Sequence, residues 1–222
     1  MTMNNALSII LAAPAGELEQ SLWGLVLKGG WLMIPIFLLS IVAVYVACER
    51  YWAIRKIRLE EGAFAGEIRR LLLAGKTGEA RERCASRDTL LARVLAKGVA
   101  RSGASPAEIR QAMEERANLE VARLERGMAL LASCSGTAPM IGFLGTVVGM
   151  IQAFYDMAVA GSNIDIGLLS RGIYTALITT VAGLVVGIIG NLAFNHLVAM
   201  TDRRVHWLEG IIEEISEIPL ER

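Results

Sequence analysis

Acidic and basic side chains are missing from three long stretches of this 222-residue chain: 29–48, 127–155 and 172–201. Charged residues make up 20% of the whole against 54% apolar, where a soluble domain carries about a quarter charged. The net charge of zero therefore hides two kinds of region, one charge-free and one densely charged. Cysteine is scarce: Cys48, Cys84 and Cys134 are far apart and form no C-x-x-C pair, so small buried or membrane-facing thiols are expected rather than a metal or redox site. The two histidines, His196 and His206, make no ligand pair. No H-E-x-x-H, G-x-S-x-G or G-x-x-x-x-G-K-[ST] string occurs, so neither an enzyme nor a bound cofactor or metal is expected. No repeat of 20–50 residues and no low-complexity tract is present. Ala6 to Ala15 is a short apolar run, but no Lys or Arg precedes it, so it lacks a signal peptide's basic start and is expected to remain.

The charge-free stretches are long enough to cross a hydrocarbon core about 30 Å thick. The first, Gly29 to Cys48, has Trp31, Tyr45, Tyr51 and Trp52 near its ends, where amphipathic rings favour the headgroup layer. Pro35 falls in its first turn, where no internal donor is lost. The second and third exceed one crossing and must tilt or run past the bilayer. The predicted fold is thus an all-α integral membrane protein with three transmembrane helices.

The connecting segments set its orientation. Residues 49–126 hold 17 Lys/Arg and 12 Asp/Glu, whereas 156–171 hold one Arg and two Asp. Arg50, Arg55, Lys56 and Arg58 follow the first span, Arg116, Arg123 and Arg126 precede the second, and Arg203 and Arg204 follow the third. The positive-inside rule makes 49–126 and the tail 202–222 cytoplasmic. Residues 1–28 and the loop 156–171 then face the periplasm of an inner membrane, with an amphipathic helix over 17–27 lying on the membrane surface.

The cytoplasmic part is predicted helical over 60–74, 77–85 and 88–102, separated at Gly75-Lys76 and Ser86-Arg87. Ser105-Pro106-Ala107-Glu108 is a capping box with proline at the first helical position. The apolar pattern from there predicts one unbroken helix from Pro106 through the second span. Trp207 to Ile218 continues the third. Spans two and three thereby extend into the cytoplasm.

Polar groups in a span need a reason. Gly142, Gly145 and Gly149 share one face of the second span, and Gly183 and Gly187 are four apart in the third. Small-x-x-x-small spacing lets helix backbones approach in lipid, within one subunit or between subunits; the spacing favours neither. Counted from the outer ends of the charge-free runs, Thr146 and Thr180 lie at equal depth, roughly 12–14 Å in. That match would place two hydroxyls in one polar layer, repeated as a ring in an oligomer; the alternative for each is a bond to its own helix. No Asp, Glu, Lys or Arg lies inside any span. If the chain moves ions, another polypeptide must supply the ionisable group.

Ala138-Pro139-Met140-Ile141-Gly142-Phe143-Leu144-Gly145-Thr146-Val147-Val148-Gly149-Met150 resembles the second-span signature of the MotA/TolQ/ExbB proton-channel family. Thr175-Ala176-Leu177-Ile178-Thr179-Thr180-Val181-Ala182-Gly183-Leu184 is similar to its third-span signature. Gly29-Gly30-Trp31-Leu32-Met33-Ile34-Pro35, with Glu49-Arg50, resembles the first span of ExbB-like members. Three spans fit ExbB or TolQ better than the four-span flagellar stators. The resemblance implies a homo-oligomer, a pentamer around two copies of a single-span partner (ExbD or TolR) whose membrane aspartate carries the ion. It implies that Thr146 and Thr180 line the pore, and that ion flow powers TonB or a TolA-like protein. No nucleic-acid partner is implied. The family often has glutamate where Thr175 stands, which removes one acidic group from the pore. Thr175 lies about 140° around the helix from Thr180, so it is expected at a subunit boundary. A non-conducting scaffold is the alternative function. A transporter with its own substrate site is disfavoured, for want of repeat symmetry and a charged midplane site.

Overall fold

A computed structural model describes residues 29–56, 61–160 and 166–218. The expected surface helix over 17–27 lies outside these. Every element among the described residues is helical: α1 (Met33–Lys56), α2 (Glu61–Leu73), α3 (Thr77–Ala85), α4 (Leu90–Val99), α5 (Pro106–Leu124), α6 (Met128–Ala160) and α7 (Ile166–Ser216). Three stretches are long and apolar enough to cross a membrane: within α1, within α5–α6 and within α7. The short helices follow the expected 60–74, 77–85 and 88–102 to within a few residues. The chain divides into two compact units, one of residues up to Ile41 with Cys134–Ile189, the other of Val42–Ser133 with Gly190 onward.

The second unit has a conventional water-excluding core. Phe64, Ile68 and Leu72 of α2 and Cys84 of α3 are buried in it, as are Leu91, Val94 and Leu95 of α4. Met113 of α5 and Ile212 and Ile215 of α7 complete its centre. Local chemistry fixes the helix ends. α2 stops at Gly75, whose φ of 71° a side chain would oppose. The Gly75 and Lys76 amides donate back to the Leu72 and Leu71 carbonyls, a Schellman closure. α4 is capped by Thr89, which accepts from the Ala92 amide at 3.3 Å. α5 starts at the expected capping box: Ser105 Oγ accepts from the Glu108 amide at 3.3 Å, and the Glu108 carboxylate accepts from the Ser105 amide at 2.9 Å. The Ser105 amide and the Ser105 hydroxyl, both donating to it, hold the Glu108 carboxyl below its ordinary range. Burial pushes the Cys84 thiol up to about 11, so it is an inert core group.

Among the described residues of this unit one charged side chain is buried. Glu120 is 2% exposed; its carboxylate accepts from Arg93 at 2.7 Å and Arg123 at 3.1 Å and forms an ion pair with Arg116 at 2.6 Å. Burial alone would raise its pKa. The Arg93 hydrogen bond and the three guanidinium charges outweigh that, and the carboxyl sits below its ordinary range. The Arg123 carbonyl in turn accepts from Arg50 of α1 at 3.3 Å.

The unbroken helix expected from Pro106 through the second span is instead two. α5 ends at Leu124, and Gly127 adopts φ 87° before α6 begins. The Met128 amide then bonds the Glu125 carbonyl, three residues back. The apolar pattern runs through this point undisturbed, so periodicity could not reveal the break; glycine's freedom at positive φ makes it. At the far end, α6 runs to Ala160 and α7 starts by Ile166, so helix enters both sides of the segment expected as the loop 156–171.

Candidate functional site

In the first unit α6 and α7 run antiparallel along a seam of small residues. The spacing of Ala138, Gly142, Gly145, Gly149 and Ala153 on α6 keeps them on one face. Gly172, Ala176, Thr179, Gly183 and Gly187 do the same on α7. A Cβ on Gly142 would lie 2.8 Å from the Thr179 carbonyl oxygen and 3.2 Å from the Gly183 Cα. One on Gly149 would lie 2.8 Å from the Ala176 Cβ, and one on Gly183 would lie 2.5 Å from the Ala138 carbonyl oxygen. Gly145 faces the Thr179 side chain, Gly172 faces Ala153 and Gly187 faces the Pro139 ring. These glycine contacts lie within one chain.

Two hydroxyls close the seam. Thr180 Oγ1 donates to the Gly142 carbonyl at 2.8 Å across the helix pair. Thr179, 2% exposed, donates to the Ala176 carbonyl of its own helix at 2.7 Å and reaches the Gly142 carbonyl at 3.4 Å. Gly142 thus offers one carbonyl to two threonines, because neither residue 142 nor 183 has a side chain to keep the backbones apart. The result is a polar point at the seam, within the stretches of α6 and α7 that carry no charge.

The residues singled out from sequence divide around this point. Thr180 belongs to it. Thr146 does not: its hydroxyl donates to the Phe143 carbonyl of its own helix at 2.6 Å, the local bond open to any membrane threonine. The seam pairs Gly142 with Thr180 and Gly149 with Ala176. Gly145 lies against Thr179, so their chain neighbours Thr146 and Thr180 stand within one turn of each other along the helix pair. Thr175 is half-buried and one residue before Ala176. Thr179 was the residue missed in choosing sites. It lies three residues after Ala176 and four before Gly183, so the small-residue spacing of α7 already placed it on the packing face.

Of the other polar residues in the spans, Gln152 donates to Asp156 at 2.9 Å. His196, in the second unit, lies with its ring centroid 6.4 Å from that of Tyr51. Among the described residues no group of His, Cys, Asp and Glu could hold a metal ion.

Three apolar spans, a charged helical body and a seam closed by hydroxyls define a multi-pass helical membrane protein built for tight packing in lipid. The chain belongs to the MotA/TolQ/ExbB proton channel family, whose sequence model matches residues 86–210. It is 33% identical over 196 residues to a putative ExbB-like biopolymer transport protein of Synechocystis, covering 86% of this chain and 76% of that one. It is 27% identical over 183 residues to a putative ExbB homologue of Methanothermobacter thermautotrophicus, covering 82% and 64%. Over a shorter stretch of 75 residues, 34% of each chain, it is 41% identical to the biopolymer transport protein ExbB of Neisseria gonorrhoeae.

Proposed function

We propose that this chain is the shell subunit of an ExbB-type motor of the bacterial inner membrane, coupling ion flow to the work of a TonB-like protein. The observation that carries the reading is the polar point where Thr179 and Thr180 meet the Gly142 carbonyl inside spans that hold no acid. Hydroxyls and carbonyls can solvate a passing ion, but they cannot take up and release a proton near neutral pH. The titrating group then comes from a second protein, a single-span partner of the ExbD or TolR kind with an aspartate at membrane depth. On this reading several copies, five in the family pattern, enclose the partner. Thr180 and Thr146 border the ion path, and Thr175 stands at the boundary between copies. The N-terminus is periplasmic, and the helical body with its 17 basic residues is cytoplasmic.

The test is ion flux in proteoliposomes holding the chain with its single-span partner. Flux should require the partner. Thr180→Val should abolish it while the complex still assembles, and Thr180→Ser, which keeps the hydroxyl, should restore it. Flux that survives Thr180→Val rejects the role given to that hydroxyl. No flux from the intact complex, with partners still recruited, would favour the non-conducting scaffold. Energising TolA-like rather than TonB-like proteins would appear as loss of envelope integrity instead of loss of receptor-mediated uptake in a deletion strain.

A further inference from the structure

In the second unit α5 and α7 leave a groove of about 610 Å³ between them. Ala117, Leu208 and Ile212 lie beneath it, each under 9% exposed, so its open surface comes mainly from the polar and charged side chains along its walls. Its rim is acidic. Arg110 is paired with Glu114 at 2.7 Å, which cancels both charges. Glu209 lies 3.2 Å from the exposed His206 ring, and Glu213, which shares the attraction of Arg110, adds a further carboxylate on the same wall. A groove between two helices walled by charged side chains accepts a segment of opposite charge along its rim. The sign of the rim calls for a basic one.

Position narrows the source. The groove runs along α7 from Val205 to Glu213. Val205 is four residues past Thr201, where the charge-free run ends, and Glu213 is twelve past. The groove therefore covers roughly 6–18 Å beyond the end of the apolar run. A segment leaving a neighbouring membrane span reaches that depth within its first dozen residues. On the cytoplasmic side such flanking residues are rich in Lys and Arg.

We infer that this groove is the docking site for the basic cytoplasmic flank of the single-span partner, holding that protein below the membrane as well as within it. The inference rests on the orientation and the partner given under the proposed function. It adds a second point of attachment, so the partner's span can move while its cytoplasmic end stays tethered.

Gly210 lines the groove, and a Cβ there meets nothing within 4 Å. A photo-crosslinking residue at position 210 is therefore tolerated in the full chain, expressed with its partner in native membranes. Illumination should give an adduct whose crosslinked peptide, identified by mass spectrometry, is a Lys/Arg-rich segment adjoining a hydrophobic span. Glu209→Lys with Glu213→Lys, both at exposed positions, should cut the adduct roughly tenfold by setting like charges together. Glu115→Lys, exposed on α5 but outside the groove, should leave it unchanged. An adduct with a second copy of this chain, or no adduct at all, overturns the inference. So does an adduct insensitive to the double reversal. Co-purification of the partner with the unmodified chain separates the two failures. If the partner is retained but never crosslinks, only the docking site is wrong. If no single-span partner is retained, the proposed function fails with it.

Discussion

Replacing Gly183 by alanine should push α6 and α7 apart and weaken their packing by a calculable amount. The added Cβ would sit 2.5 Å from the Ala138 carbonyl oxygen, 3.0 Å from the Gly142 Cα and 3.2 Å from the Gly142 nitrogen. All three are backbone atoms, so no rotamer change relieves the clash. A carbon normally approaches a carbonyl oxygen no closer than about 3.3 Å, which requires the helices to separate by roughly 0.8 Å. A gap of that size forfeits about a quarter to a half of the dispersion energy of each contact it opens. It also stretches the Thr180 bond to Gly142 beyond useful length, at ~0.6 kcal/mol for an interhelical bond in lipid. Overpacking of this kind costs ~1–3 kcal/mol, while alanine's better helix propensity returns ~1 kcal/mol. The expected net loss is about 0.5–2.5 kcal/mol in a reversible unfolding titration in mixed micelles. Gly136, also on α6, has nothing within 4 Å of its would-be Cβ. Gly136→Ala should therefore leave stability unchanged or raise it by up to ~1 kcal/mol. Equal stabilities for Gly183→Ala and Gly136→Ala would refute a seam held by backbone contact.

Gly127→Ala should cost ~1–2 kcal/mol, read as a lower melting temperature of the intact protein. Its Cβ would meet Val46 at 3.6 Å and Arg50 at 3.8 Å, ordinary contacts, so the loss reflects backbone strain alone. Glu120→Gln leaves three guanidiniums without their shared anion. Because the arginines keep some contact with water, the expected loss is of order 2 kcal/mol, below the ~3–5 kcal/mol of a fully buried pair. The Glu120 carboxyl is held below its ordinary pKa, so its contribution is complete at neutral pH. It fades as the pH falls below about 4.3, where the unfolded chain takes up the proton first. Acid unfolding monitored by circular dichroism should be correspondingly shallower for Glu120→Gln than for the unaltered chain. Ser105→Ala should cost ~1 kcal/mol through loss of the α5 cap, measured as a shift in thermal unfolding.

The sequence carried the spans and the short helices because each rests on a local signal. Charge exclusion marks 29–48, 127–155 and 172–201, Gly75-Lys76 ends α2, and the Ser105–Glu108 box opens α5. The Glu120 cluster was invisible. Arg116 and Arg123 lie one turn from it, but Arg93 arrives from α4, and nothing in a list of residues says which of 12 acids in 49–126 will be the buried one. The break at Gly127 escaped for the opposite reason. Glycine permits a positive φ without demanding it, and the flanking apolar pattern fits a continuous helix equally well. The seam was half legible. The glycine spacing named the packing faces, but left open whether they met within one chain or between chains, and the contacts described here are within one chain.

Thr180 and Thr146 looked alike in the sequence, and the seam separates them. Thr180 spends its hydroxyl on a carbonyl of the neighbouring helix, so it cannot rotate toward an ion without loosening the α6–α7 pair. Thr146 bonds only its own helix, an arrangement that its χ1 rotation breaks at no cost to packing. The two hydroxyls therefore differ in what their loss should do. Thr146→Val should alter flux with stability untouched. Thr180→Val should lower both, and its flux and stability should recover together in Thr180→Ser. Parallel recovery ties the helix seam to conduction. Flux restored by serine without restored stability would place the Thr180 hydroxyl in the ion path alone and remove the seam from the coupling.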